Sequence, residues 1–235
     1  DHWGVHCESV TMKAMCGRFA LIIDASLLAD VFDVDPPREL QPRFNIAPTQ
    51  TIPIVRAGKD RPRECALVRW GLIPSWAKNE KMGARMINAR GETVAEKPSF
   101  RSAVKSRRCL IPANGFYEWV RTDVGKQPHF IHFADARPFA FAGLWERWHK
   151  GTGEPLETCT IITTSPNELI ADIHDRMPVI LPPAHFAEWL ETQPLTAERL
   201  QELLAPHPAE GMDAYPVSTY VNKPANDGPE CIARL

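Results

Sequence analysis

Residues 108–120 read R-C-L-I-P-A-N-G-F-Y-E-W-V. Two runs of strand-favouring residues, 108–112 and 115–120, stand on either side of a break marked by Pro and Gly, as in short strands joined by turns. The pattern recurs at 51–55 (T-I-P-I-V), 65–70 (C-A-L-V-R-W), 129–133 (H-F-I-H-F), 139–143 (F-A-F-A-G) and 158–164 (T-C-T-I-I-T-T). Helical periodicity is confined to brief segments. Residues 24–34 space Leu27, Leu28, Val31 and Phe32 for one face of a short helix. Ser165-Pro166-Asn167-Glu168 predicts a helix start: a hydroxyl cap, proline in the first turn, and Glu three residues after the cap. That helix should end near Ile173 and leave His174 just beyond it. Residues 183–191 and 196–204 predict two further amphipathic helices, and 22 prolines favour short elements throughout. The fold class that follows is α+β, a single domain over 15–235 with a barrel-like, mostly antiparallel β core and peripheral helices. Residues 1–14 (D-H-W-G-V-H-C-E-S-V-T-M-K-A) show no periodicity and are expected to be an expression remnant or an upstream extension outside that domain.

A chain of 235 residues can bury a core without staples. No apolar run approaches about 18 residues and no leader pattern opens the chain, so neither a membrane span nor a signal peptide is expected. Six cysteines are spread singly with no C-x-x-C, which points to reduced thiols and a cytoplasmic location. Cys65, Cys109 and Cys159 lie in apolar runs and are most simply small core residues. His2, His6 and Cys7 could capture a metal, but such clusters at unstructured ends are usually incidental; no metal and no cofactor is called for. The net charge of −2 does not announce a nucleic-acid binder. Its distribution is less even: residues 85–108 hold seven basic residues against two acidic, and 185–235 three basic against eight acidic. The basic strip suits an anionic backbone, or equally a solvated face.

Cys16 follows Met15, and initiation there with Met removal would leave it as the first residue. An N-terminal cysteine carries an amine and a thiol on adjacent carbons. With an aldehyde, the amine forms a Schiff base and the thiol closes a five-membered thiazolidine. With a pKa of about 7.7–8.0, roughly 10–15% of an α-amine is neutral at pH 7, against about 0.04% of an ordinary lysine. The residues alone equally allow Cys16 to open a buried strand, C-G-R-F-A-L-I-I. Glu118 lies between Tyr117 and Trp119, and strand alternation puts it on the opposite face. A carboxyl beside aromatic walls can serve as general acid and base, or form a structural ion pair. His174, beside Asp175 and Arg176, could act in proton transfer or simply cap the helix.

Six motifs in order, M-C-G-R-F-A (15–20), R-F-N-I-A-P-T (43–49), W-G-L-I-P-S-W (70–76), I-N-A-R-G-E-T (87–93), N-G-F-Y-E-W (114–119) and I-H-D-R-M-P (173–178), resemble the SRAP family, the SOS response-associated peptidase domain proteins. The resemblance covers the chain from about Met15 to Leu235. It implies an α+β domain around a barrel-like core with a positively charged channel, acting on abasic sites in single-stranded DNA. It further implies a thiazolidine cross-link through the N-terminal cysteine that shields the lesion, with associated lyase and reversal chemistry. On that resemblance Cys16 is the cross-linking nucleophile and Asn88 positions the N-terminal residue and the sugar. Glu118 transfers protons, and His174 helps open the deoxyribose. Arg18 and Arg90 are implied phosphate contacts, and Trp76 a stacking or wedging residue, unless it is a core aromatic. Lys97 and Arg101 extend the channel as charge alone. The implied partner is single-stranded DNA with abasic sites, met by a monomer away from membranes, in the cytoplasm and, in a bacterium, at the nucleoid when DNA is damaged.

One feature departs from the pattern: fourteen residues precede Met15, and an amide nitrogen on Cys16 cannot form a Schiff base. The mechanism needs those residues absent or cut off. Two other classes of function stay open on sequence. One is a thiol peptidase using Cys16, Glu118 and His174 with Asn88 as oxyanion donor. The other is a noncovalent module for single-stranded DNA.

Overall fold

The structure, a computed structural model, describes residues 17–37, 40–149 and 153–235. The strands in chain order are β1 (Phe19–Leu21), β2 (Arg43–Ile46), β3 (Thr51–Ala57), β4 (Arg63–Trp70), β5 (Asn88–Arg90), β6 (Arg108–Ala113), β7 (Gly115–Thr122), β8 (Gly125–Phe133), β9 (Phe139–Trp148), β10 (Leu156–Thr164), β11 (Met177–Pro178), β12 (Ile180–Leu181) and β13 (Met212–Pro216). The helices are α1 (Ala25–Phe32), α2 (Ala103–Ser106), α3 (Glu168–Ala171), α4 (Phe186–Leu190) and α5 (Ala197–Leu203). All seven strand runs predicted from the sequence lie in strands.

Strands β4, β3, β6 and β9 pair antiparallel in that order. β10 then joins β9 antiparallel and β4 parallel, closing a five-stranded barrel. Closure pairs the strand edges that an open sheet would expose. β5 adds to β10 in parallel, with Asn88 level with Ile161 and Arg90 with Thr163. β13, β8, β7, β1 and β2 form a second, wholly antiparallel sheet. The α+β, barrel-cored, mostly antiparallel expectation holds, with the pairings of β10 to β4 and β5 as its parallel exceptions.

Alternation on β7 decides how the sheets assemble. Phe116, on its inward face, packs with Phe19 of β1 against the barrel, where Trp70 lies 5.3 Å and Phe141 5.8 Å from the Phe19 ring. Tyr117, on the outward face, is covered with Ala20 and Phe130 by Val217, Val221 and Cys231 of the C-terminal segment. Gly115 starts the strand because any Cβ there would sit 2.2 Å from the Phe130 ring. Gly71, at φ +125°, turns the chain out of β4 where a side chain would meet the Gly83 carbonyl.

Local expectations need three corrections. The α3 cap is Asn167, not Ser165: Asn167 Oδ1 accepts the Ile170 N–H at 3.0 Å, and its Nδ2 donates to the His207 carbonyl at 2.8 Å. The tie to His207, forty residues on, is invisible to a local capping rule. α3 also ends at Ala171, although a further turn continues to His174, whose N–H bonds the Ile170 carbonyl at 2.8 Å. On α1, Leu28 and Phe32 are buried but Leu27 faces solvent, because the helix presents a narrower stripe than four apolar residues suggest.

The basic strip is thinned in the same way. Arg108 is buried, and its guanidinium donates to five carbonyls, those of Val104, Lys105, Trp189, Glu191 and Gln193. Arg107 pairs with Glu146. Arg85, Arg90, Lys97, Arg101 and Lys105 remain exposed.

Candidate functional site

The four described cysteines are free thiols. Cys109, Cys159 and Cys231 are buried. Burial pushes the Cys65 thiol up to about 11 and drives Cys109 and Cys159 well above the usual thiol range. A thiol held protonated is a poor nucleophile, so these residues are inert fillers, as the sequence suggested. His2, His6, Cys7 and Cys16 lie outside the described residues. No group of His, Cys, Asp or Glu suited to a metal occurs among the described ones.

A cleft of about 520 Å³ opens where the two sheets meet. Glu118 and Trp119 of β7 and Asn222 of the C-terminal segment line one wall. Ile87, just before β5, with Ile173 and His174 after α3, lines the other. Gly17, Arg18 and Pro48 form its lip.

Each wall residue is placed by long-range bonds. Glu118, only 3% exposed, sits on the barrel-facing side of β7, directly across from His129 of β8. Its neighbours point the other way: the Tyr117 hydroxyl donates to the Phe44 carbonyl at 2.6 Å, and the Trp119 indole N–H donates to Asn222 Oδ1 at 2.8 Å. Asn114 ties the start of this hairpin to β1, its Oδ1 accepting the Ile22 N–H at 2.7 Å. Arg18 is clamped at the lip, donating to Asn45 Oδ1 at 2.7 Å, the Val221 carbonyl at 2.8 Å and the Asn222 carbonyl at 3.1 Å.

On the facing wall the His174 side chain is 7% exposed. Its Nδ1 accepts the Arg176 backbone N–H at 3.1 Å and lies 3.0 Å from Asp175 Oδ1. The two contacts suit two protonation states. In the neutral ring Nδ1 accepts and the proton sits on Nε2, whereas in the cation Nδ1–H faces the carboxylate. The Arg176 side chain bridges two of the motifs. It donates to the Thr163 carbonyl at 2.7 Å and forks onto both Glu92 oxygens. This bond, with the guanidinium charge, holds the Glu92 carboxyl below the usual carboxylate range. Asn88 opens β5 right after Ile87, whose carbonyl accepts both the Trp70 indole N–H and the Ile161 N–H. With Ala89 buried inward, alternation puts Asn88 and Arg90 on the other face.

Of the residues singled out from sequence, Arg18, Glu118 and His174 line the cleft and Asn88 adjoins it. Trp76 is not a core aromatic: it is 56% exposed, its indole N–H directed at the Pro98 carbonyl at 3.4 Å. Trp76, Arg90, Lys97 and Arg101 lie on the surface outside the cleft lining. The sequence reading missed Arg121, Lys126 and Asn222 as lining residues. The first two flank a hairpin turn, T-D-V-G, that β7 alternation could have located; for Asn222, a hundred residues from Trp119, no local signal exists.

The description SOS response associated peptidase (SRAP) matches residues 15–224. The chain is 50% identical over 223 residues to the abasic site processing protein YoqW of Bacillus subtilis, covering 93% of this chain and 99% of that one. It is 34% identical over 265 residues to the abasic site processing protein HMCES of Gallus gallus, covering 94% and 78%. A crystal structure of a protein from Bacteroides thetaiotaomicron superposes with a TM-score of 0.85 at 30% identity, covering 94% of this chain and all of that one. With one cleft lined by residues of five of the six motifs and a family match over nearly the whole chain, this protein belongs to the SOS response associated peptidase family.

Proposed function

We propose that this protein processes abasic sites in single-stranded DNA by forming a thiazolidine between Cys16 and the opened sugar. The observation that carries the reading is the position of Gly17. The residue bonded directly to Cys16 lines the same cleft as Glu118 of β7 and His174, which follows α3.

The chemistry asks for both groups. An abasic deoxyribose is mostly a closed hemiacetal, so the C1 hydroxyl must lose a proton and the ring oxygen gain one before an aldehyde exists. His174, with partners ready for either protonation state, serves that exchange. The Cys16 amine then adds to C1. Glu118 relays the two amine protons in turn to the aldehyde-derived oxygen, the first giving the carbinolamine and the second letting that oxygen leave as water. The Cys16 sulfur adds to the resulting imine carbon, and the thiol proton ends on nitrogen. One water is released overall. β-Elimination at the imine and reversal of the ring would use the same two groups. Asn88, beside the cleft, orients the sugar, and the monomer suffices because one chain supplies every group. The exposed Trp76 offers a stacking face for an unpaired base, worth about 1–3 kcal/mol, which a duplex could not use. Arg90, Lys97 and Arg101 supply charge for the backbone.

The mechanism requires Cys16 to be the first residue, because an acylated nitrogen cannot make the imine. Intact mass under denaturing conditions, with a single-stranded oligonucleotide carrying one abasic site, tests it. Protein beginning at Cys16 should gain the oligonucleotide's mass less one water, and nothing from an undamaged oligonucleotide. Protein beginning at Cys16 that stays free with the damaged strand would overturn the proposal.

A further inference from the structure

Two cations that line the cleft are used by none of these steps. Arg121, near the end of β7, and Lys126, at the start of β8, are cross-strand partners. Directly opposed residues hold their Cβ atoms about 5 Å apart, and like charges so placed repel. Both are exposed, and among the described residues neither is engaged in an ion pair, although Asp123 lies in the turn between them. Other cations of the chain are neutralised, Arg56 by Glu64 and Glu157 and Arg199 by Glu188 and Glu202. Trp119 shares their face of β7, two residues before Arg121, and its indole is pinned by Asn222. Three residues separate Glu118 from Arg121, about 10 Å along the strand. Arg90 lies on β5, three residues after the cleft-lining Ile87 and itself outside the lining.

We propose that Arg121 and Lys126 form a phosphate clamp on one side of the lesion. The DNA backbone leaving the reacting sugar away from Arg90 runs across Trp119 and is gripped by the β7–β8 hairpin. The identity of the anion as a DNA backbone rests on the function proposed above. Two uncompensated cations and an aromatic face then lie along one face of the β7–β8 hairpin, in the lining of the cleft that also holds the proton-transfer carboxyl, which suits a chain of regularly spaced phosphates better than an isolated anion.

The experiment measures binding of the full chain to an undamaged single-stranded oligonucleotide by fluorescence anisotropy across a salt series. Each phosphate contact to a single strand contributes about 0.7 to the slope of log K against log salt. Arg121→Gln with Lys126→Gln should reduce that slope by about 1.4. Lys59→Gln, on the exposed β3–β4 turn, should leave it unchanged. The charge-keeping pair Arg121→Lys with Lys126→Arg should retain it, which separates lost charge from a disturbed hairpin. With strands extending to only one side of an abasic position, the loss should be confined to one of the two. An unchanged slope in the Gln pair, the same loss in the charge-keeping pair, or equal losses on both one-sided strands would each overturn the clamp. Undamaged DNA carries no aldehyde, and in the one-sided strands the abasic position is a tetrahydrofuran analogue that cannot open to one, so these results are independent of the adduct. A slope change without any adduct on damaged DNA would keep the clamp and overturn the covalent function.

Discussion

Glu118 combines near-complete burial with a place in the lining of an open cleft, a position that costs a carboxylate solvation. Glu118→Gln keeps the shape and removes the proton exchange. Cross-link formation should slow by about 10²–10⁴, the usual contribution of a placed acid–base group, with binding to undamaged DNA unaltered. Timed quenching of the reaction between pH 5 and 9 checks this, and matching rates across that range would remove Glu118 from proton transfer. Applied to His174→Ala, the same assay should find reversal of the cross-link slowed more than its formation. Cysteine chemistry is confined in the opposite way. Burial keeps Cys65, Cys109 and Cys159 protonated, so no described thiol competes for an aldehyde.

At the scale of elements, two arginines from the sequence's basic residues act as ties. Arg108 joins β6 to the end of α2, to α4 and to the segment following α4 through five carbonyls, a task only a guanidinium's five donors can perform. Arg176 joins the turn that carries His174 to the short 3₁₀ turn after β5 through Glu92. Because Glu92 has a lowered folded pKa, its contribution to stability is present above the unfolded value of about 4.3 and is lost as pH falls through the folded one. Glu92→Gln should therefore cost up to about 1 kcal/mol at pH 7, a modest figure because the carboxylate is half exposed. The difference from the parent chain should shrink steadily below about pH 4.3. Denaturant midpoints of both proteins at neutral and acid pH measure it, and a pH-independent difference would mean the ion pair is not its source.

Over the whole molecule, the C-terminal segment closes the outer face of the second sheet and supplies one cleft wall. Asn45 is its anchor: buried on β2, it donates to the carbonyls of Val221, Lys223 and Asn226 and accepts from Arg18. Asp227 completes the tie by accepting the Phe44 and Asn45 N–H groups. Asn45→Ala orphans several buried partners at once. It should cost about 2–3 kcal/mol and lower the melting temperature by roughly 4–10 °C. Loss of the Arg18 and Asn222 positions should weaken cross-linking as well. Calorimetry alongside the mass assay reads both, and an unchanged melting temperature would show that the segment is held by its apolar contacts alone.

Local pattern carried the strands. β-Branched and aromatic runs broken by Pro and Gly located seven of them, and period-two alternation at 115–120 put Glu118 on the face opposite Tyr117 and Trp119. Six ordered motifs were enough to recognise the family, because each couples an apolar frame to a polar residue at a set spacing. What adjoins a residue from fifty or a hundred positions away was decided only by tertiary structure. Asn167 rather than Ser165 caps α3 because His207 meets it; Arg108 is buried because carbonyls after α4 surround it; Asn222 enters the cleft because Asn45 and Asp227 hold its segment down. Periodicity reports which face of an element is apolar, whereas burial and hydrogen bonding depend on the other chain segments folded against that face.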